Sequence, residues 1–151
     1  MFYIIHILAG AAIAKYFPGI IPIIILGLLT HFLLDMIPHR DTLFIKNKFV
    51  KSYEVSITTS AVLFEFADII PSITLIIYLW FVFQSPLMLF SIFISILPDI
   101  SRIGYVLGLK DNRMFKGFLQ FHSRIQTDLP WIPGLLTQLL VAIILVLFLF
   151  T

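Results

Sequence analysis

Long apolar segments constrain the fold of this chain more than any other feature, and the run Trp131–Phe150 is the clearest of them. It contains no Asp, Glu, Lys, Arg or His, and about 20 apolar residues are enough for a helix to cross a bilayer. Over all 151 residues, 60% are hydrophobic and 12% are charged, against about a quarter charged in soluble domains. Such a composition leaves too few polar side chains to cover a water-soluble globule. We therefore predict an integral membrane protein with a single helical domain over residues 1–151.

Apolar periodicity divides the chain into about five transmembrane or membrane-embedded helices, so the predicted class is an all-α bundle. The predicted helices cover residues 2–17, 20–37, 54–83, 86–107 and 131–150. The first two are short, and they could form a hairpin that dips part-way into the membrane instead of two spans. Between the fourth and the fifth, apolar residues recur at helical spacing, which predicts an amphipathic helix on the membrane surface. These residues are Met114, Phe115, Phe118, Leu119, His122 and Ile125.

The distribution of basic residues predicts which side of the membrane each loop faces. The loop after the second helix and the segment after the fourth each carry four Lys or Arg residues. The turn after the first helix has only one basic residue, Lys15, and the turn after the third helix has no basic residue. Because basic loops stay in the cytoplasm, we predict a cytoplasmic N-terminus. The net charge of +2 is too small to suggest a nucleic-acid partner.

Ionisable side chains within the apolar helices fall in the cytoplasmic half of the predicted bundle. Such groups are costly at membrane depth, so a functional site is the first hypothesis. His31 and Asp35 are four residues apart and share one helix face, and Pro38 stops that helix just beyond them. The residues at this depth are His6, His31, Asp35, Glu65, Asp68 and Asp99, with His39 and His122 in the adjoining cytoplasmic segments. We predict a polar cavity that opens to the cytoplasm.

Imidazoles and carboxylates in a chain without cysteine favour a metal site with nitrogen and oxygen ligands. Such a set suits zinc, or a di-metal site with manganese or iron. The candidate ligands are His6, His31, Asp35, His39, Asp99 and His122. Glu65 and Asp68 are candidate general bases, and Arg40 and Arg102 are candidates for binding an anionic head group.

Each candidate also has a structural interpretation, which stays open here. Glu65 and Asp68 could join neighbouring helices through polar contacts. Asp99 could cap a helix that is broken at the preceding proline. His6 could anchor its helix at the interface, and His122 could be structural. No His-Glu-x-x-His or Gly-x-Ser-x-Gly motif occurs, so neither a zincin protease nor a serine hydrolase is supported.

Short motifs in the chain together resemble a known bacterial family. They are Thr30-His31-Phe32-Leu33-Leu34-Asp35 followed by Pro38-His39, His6 with Gly10, Leu97-Pro98-Asp99, and Phe121-His122-Ser123. The family is that of the membrane-bound metal-dependent hydrolases, which includes LexA-regulated inner-membrane hydrolases. The resemblance implies a metal site that uses His31, Asp35 and Asp99 and, more loosely, His6 and His122. In this chain the His-x-x-x-Asp element precedes Leu-Pro-Asp, the reverse of the usual order in the family.

The resulting hypothesis is a metal-dependent hydrolase of the bacterial cytoplasmic membrane that acts on a lipid-linked phosphate or ester. Its cofactor would be a divalent metal, zinc before manganese or iron, and its partner a membrane lipid or a lipid-linked molecule. Two hypotheses from other classes remain open. One is a small ion- or proton-coupled transporter whose buried carboxylates form a relay. The other is a non-catalytic membrane scaffold with a structural metal.

Overall fold

The fold was analysed in a computed structural model that describes residues 1–40, 59–106 and 112–151. Within these ranges, only the backbone is described for residues 59–66, 101–106 and 123. The described part contains six helices and no strand. The helices are α1 (Tyr3–Tyr16), α2 (Ile20–Met36), α3 (Thr59–Phe83), α4 (Pro86–Val106), α5 (Arg113–Ile125) and α6 (Trp131–Phe150).

This order confirms the predicted sequence of five apolar helices with an amphipathic helix before the last. The predicted bounds agree with the observed ones to within about two residues where both are described. The predicted start of the third helix, at residue 54, lies outside the described residues. α5 is amphipathic as predicted, because it buries Leu119 and His122 while Lys116 and Arg124 are exposed. Met114 was predicted on the apolar face but is 86% exposed.

Helix α1 is the centre of the fold. It packs against α2, α3, α4 and α6, and every residue from Ile5 to Ala14 is buried. A helix that is apolar all round is stable when neighbours cover all of its faces. Gly10 allows the closest of these contacts, because a Cβ added there would lie 2.8 Å from the Ile92 Cα of α4. The Ser91 hydroxyl of α4 also donates a hydrogen bond of 2.7 Å to the Gly10 carbonyl.

The contacts of α1 with α6 show that the two helices run parallel. Near the start of α1, the Phe2 N–H donates to Gln138 Oε1 at 2.9 Å. Near its end, the Lys15 ammonium donates to the Leu149 carbonyl at 2.8 Å, and Tyr16 donates to the Phe148 carbonyl. α2 returns antiparallel to α1 after a short turn. The end of α2, the first turn of α1 and the first half of α6 therefore lie at one end of the bundle.

Large apolar side chains remain exposed on the outer helices. Ile21 of α2, Phe81 of α3 and Ile132 of α6 are each at least 70% exposed. Within the described residues, α6 is the helix that is long and apolar enough to cross a membrane. Shorter apolar helices cover Tyr3–Tyr16, Ile20–Met36, Ala67–Phe83 and Pro86–Ile100.

Candidate metal centre

Four side chains from three helices meet at one end of the bundle. They are His31 and Asp35 of α2, Asp99 of α4 and His122 of α5, and one ligand atom from each lies within 4.8 Å of the others. All four are buried. Two imidazoles and two carboxylates with converging ligand atoms can hold a metal ion.

Helix α2 contributes two of these ligands through its regular geometry. His31 Nε2 and Asp35 Oδ2 are 3.4 Å apart across one helical turn. The helix ends at Met36, and Ile37 is extended with φ −64° and ψ 128°. Since Pro38 disfavours the helical conformation in the residue before it, the predicted stop at this proline is confirmed.

The hydrogen bond from His31 to α4 shows which of its ring nitrogens carries a proton. Its Nδ1 lies 2.7 Å from the Ser95 carbonyl oxygen of α4. A carbonyl oxygen only accepts hydrogen bonds, so Nδ1 carries a proton and Nε2 faces the cluster. Metal-ligating histidines commonly have this arrangement, with one ring nitrogen on the metal and the other donating to a carbonyl.

The spacing of the ligand atoms suits a small cation. Tetrahedral ligands on zinc, at about 2.0 Å from the ion, lie about 3.3 Å from one another. His31 Nε2 is 3.2 Å from His122 Nε2 and 3.4 Å from Asp35 Oδ2. His122 Nε2 lies closer to Asp35 Oδ2, at 2.6 Å, which is a charge-assisted hydrogen bond. A metal bound at His122 would replace this hydrogen bond.

Asp99 is presented by a continuous helix. α4 extends from Pro86 to Val106 through Pro98, so Asp99 lies within the helix and does not cap a broken one. Its Oδ1 is 3.9 Å from His122 Nε2, and its Oδ2 is 3.6 Å from His6 Nε2. The side chain of Arg102, a candidate for binding the anionic head group, lies outside the described part of the structure.

His6 lies directly beside the four-residue group. Its Nε2 is 3.3 Å from Asp35 Oδ1, and its ring stacks on that of His31 with centroids 4.2 Å apart. The ring is fully buried, and within the described part of the chain neither nitrogen has a hydrogen-bond partner. The N-terminal amine of Met1 also lies 3.1 Å from Asp35 Oδ1.

Other candidates from the sequence lie outside this group. The His39 Nδ1 contacts the carbonyl of Ile37 at 2.8 Å, and the His39 backbone forms a bridge with Asp128. Asp68 accepts hydrogen bonds from the Tyr3 N–H at 2.7 Å and from the Ser72 hydroxyl at 3.3 Å, so it caps the first turn of α1.

The two remaining candidates are Glu65 and Arg40. The side chain of Glu65 lies outside the described residues. The Arg40 guanidinium pairs with Asp128 at 3.3 Å and lies over the Trp131 ring at 4.8 Å, away from the four ligands.

Two residues that support the ligands were not predicted from the sequence. The Gln126 side-chain amide donates to Asp35 Oδ2 at 2.9 Å, and the Ser95 carbonyl accepts from His31. Each lies four residues from a ligand on the chain, Gln126 after His122 and Ser95 before Asp99. For Ser95, this spacing could have predicted a place near the site, because residues four apart lie on the same helix face and Asp99 is a candidate ligand.

Comparisons with protein-family models, with curated proteins and with solved structures found no match to this chain.

Proposed function

We propose that this chain is a metal-dependent hydrolase embedded in the bacterial cytoplasmic membrane, acting on a lipid-linked phosphate or ester. The observation that carries the proposal is His31, whose Nδ1 is committed to the Ser95 carbonyl while its Nε2 faces His122 and Asp35. A buried imidazole held in this tautomer among two carboxylates is suited to a divalent metal. Zinc is the proposed ion, with manganese or iron as alternatives.

The proposed membrane setting is supported by the outer surface. Exposed apolar side chains cover the outer faces of α2, α3 and α6, and large exposed apolar patches are unusual on soluble monomers. α6 has the length and composition of a membrane span. In this proposal the helices form a bundle in the bilayer, and α5 lies at the cytoplasmic surface with Arg113, Lys116 and Arg124 towards water.

The proposed roles follow from the contacts of each residue. His31, Asp35, Asp99 and His122 would hold the metal, and Gln126 would orient Asp35 through its 2.9 Å hydrogen bond. A bound divalent metal supplies a Lewis acid and activates water for hydrolysis. The reaction adds water across a P–O or ester C–O bond and releases the lipid alcohol. Asp68 caps the first turn of α1 and is not assigned the role of general base, so Glu65 is the proposed acceptor of the proton from the attacking water.

An apolar groove beside the site favours a lipid substrate. It has a volume of about 490 Å³ and lies between the start of α1 and the helix α6. Phe2, Ile5, Leu135 and Leu139 are in its lining, and Gln138 is the polar residue there. Ile5 precedes His6 in the chain. We propose that the groove holds one alkyl chain of the substrate. The Arg40 guanidinium pairs with Asp128, so Arg40 is not assigned to the head group at the metal.

The proposal is tested by turnover with the detergent-purified full chain. We expect Zn²⁺- or Mn²⁺-dependent hydrolysis of a long-chain alkyl phosphate or of the ester with the same chain, and loss of that activity on chelation. His31→Ala should lose both metal and turnover, whereas His39→Ala, which changes a buried histidine outside the ligand group, should retain the metal. Metal binding without turnover of either compound would instead identify a structural metal. Absence of metal binding would contradict the proposal and favour the transporter.

The predicted membrane orientation has its own test. Because both basic segments are predicted to be cytoplasmic and five spans lead to the opposite side, a reporter fused after Thr151 should be active only outside the cytoplasm. The measurement is the activity of paired reporters, one active in each compartment, fused at this position. A fusion that is active only in the cytoplasm would contradict the orientation.

A further inference from the structure

We propose that Asp35 and Asp99 bridge two metal ions, and that His6 is the terminal ligand of the second ion. This inference rests on the metal site proposed above and adds a second cation position to it. The first ion would be held by His31 and His122, and the second would lie on the other side of the two carboxylates.

The oxygen atoms of the two carboxylates face opposite sets of ligands. Asp35 directs Oδ2 towards His31 and His122, at 3.4 and 2.6 Å, and Oδ1 towards His6 at 3.3 Å. Asp99 directs Oδ1 towards His122 at 3.9 Å and Oδ2 towards His6 at 3.6 Å. Each carboxylate therefore offers one oxygen to each side, as a bridging ligand requires.

His6 provides independent support for a bound ion on the side of the two carboxylates that faces away from His31 and His122. Its ring is fully buried, and among the described residues neither ring nitrogen has a hydrogen-bond partner. A buried polar group without such a bond is destabilising, so a bound ligand at this position would be favourable. The His6 Nε2 already faces one oxygen of each aspartate, and a cation between these three atoms would satisfy it.

The separation of the two histidine rings fits a pair of ions. His6 and His31 stack with their centroids 4.2 Å apart and their planes 26° from parallel. Ions in two-metal sites are about 3.5–4 Å apart, so near-parallel imidazoles at this spacing can each serve one ion. The Met1 amine, at 3.1 Å from Asp35 Oδ1, would have to give up this contact when the second ion binds.

Charge balance narrows the substrate class. Two divalent ions bring four positive charges to a buried site in which two aspartates supply two negative charges, and the excess is costly without an anion. A phosphoester supplies that negative charge, whereas a neutral carboxylic ester does not. Two-metal sites also stabilise both the attacking and the leaving oxygen in displacement at phosphorus. We therefore narrow the substrate to the lipid-linked phosphate.

The test is a titration of the detergent-purified full chain with Mn²⁺, read by bound metal per chain and by electron paramagnetic resonance. The wild-type protein should bind two Mn²⁺ and show the signal of an exchange-coupled pair. His6→Leu, which keeps an apolar side chain of similar size, should bind one Mn²⁺ with an uncoupled spectrum. The matched control His39→Leu should behave as wild type. Inorganic phosphate should strengthen the second binding event in wild type at least tenfold and have no such effect in His6→Leu.

The outcomes separate the inference from the proposed function. One Mn²⁺ in wild type, unaffected by His6→Leu, would overturn the pair of ions and remain consistent with the single-metal site. No bound Mn²⁺ in any variant would overturn the proposed metal site itself. If His6→Leu does not fold, the spectrum of the wild-type protein decides between coupled and isolated ions. A second binding event that phosphate does not strengthen would overturn the choice of a phosphoester.

Discussion

Asp35→Ala is expected to abolish metal binding and hydrolysis while the protein still inserts into the membrane. The Asp35 carboxylate contacts more of the site than any other candidate ligand does. Its Oδ2 lies 2.6 Å from His122 and 2.9 Å from Gln126, and its Oδ1 lies 3.3 Å from His6. Changes to partners outside the ligand shell typically reduce metal affinity by about 10–100-fold, so loss of this ligand should exceed about 100-fold.

The measurement is metal content after affinity purification in detergent, with insertion followed by extraction of the membrane fraction. Asp128→Ala is the matched control for metal content, since Asp128 pairs with Arg40 away from the four ligands. Asp35→Asn keeps the shape of the side chain and tests whether the loss comes from charge and ligation instead of packing. Asp35→Ala protein that folds and retains the wild-type metal content would show that the cluster is not the metal site.

The sequence predicted the helices well because length and apolar composition decide them locally. The run Trp131–Phe150 contains no charged residue, and in α5 apolar residues such as Phe118 and Leu119 recur at helical spacing. The pairing of His31 with Asp35 was also predictable, because it depends only on helical geometry. These features need no knowledge of how the helices pack.

What depends on packing was harder to predict. His39 and His122 are both candidate ligands in the sequence, yet of the two only His122 joins the other three residues of the group. α5 turns His122 inwards beneath Phe32, whose ring lies edge-on to it at 5.8 Å. The contact of His31 with Ser95 depends on the close approach of α2 to α4. From the sequence, Asp68 is expected at the same membrane depth as the other acidic residues. Its contact with the Tyr3 N–H is formed only in the folded protein. Contacts across 64 or more positions are set by tertiary structure, which residue spacing does not encode.

A second large effect is expected from Gly10→Ala, which should destabilise the fold and weaken metal binding together. The new Cβ would lie 2.8 Å from the Ile92 Cα and 2.9 Å from the Ser91 carbonyl oxygen. These atoms belong to the α4 backbone, so they cannot move aside as the end of a flexible side chain can. Overpacking of this kind typically costs about 1–3 kcal/mol, and the contact with a backbone favours the upper part of that range.

Gly117→Ala is the matched control, because a Cβ added to Gly117 of α5 meets no atom of the described residues within 4 Å. Alanine is the better helix former by about 1 kcal/mol, so this substitution should leave stability unchanged or raise it slightly. The two Gly→Ala variants are thus expected to shift the thermal unfolding midpoint in detergent in opposite directions. Equal midpoints for the two variants would contradict the close packing of α1 against α4.

The same packing connects Gly10 to the metal centre. The added Cβ would also lie 2.8 Å from Ser95 Oγ, and the Ser95 carbonyl holds the Nδ1 of His31. Displacing α4 by a few tenths of an ångström would therefore disturb the orientation of His31 without touching a ligand. We expect metal affinity to fall by about tenfold in Gly10→Ala, as for other residues that orient a ligand, and to stay unchanged in Gly117→Ala. Gly10→Ala protein with lower stability but wild-type affinity would show that Ser95 does not position His31 for the metal.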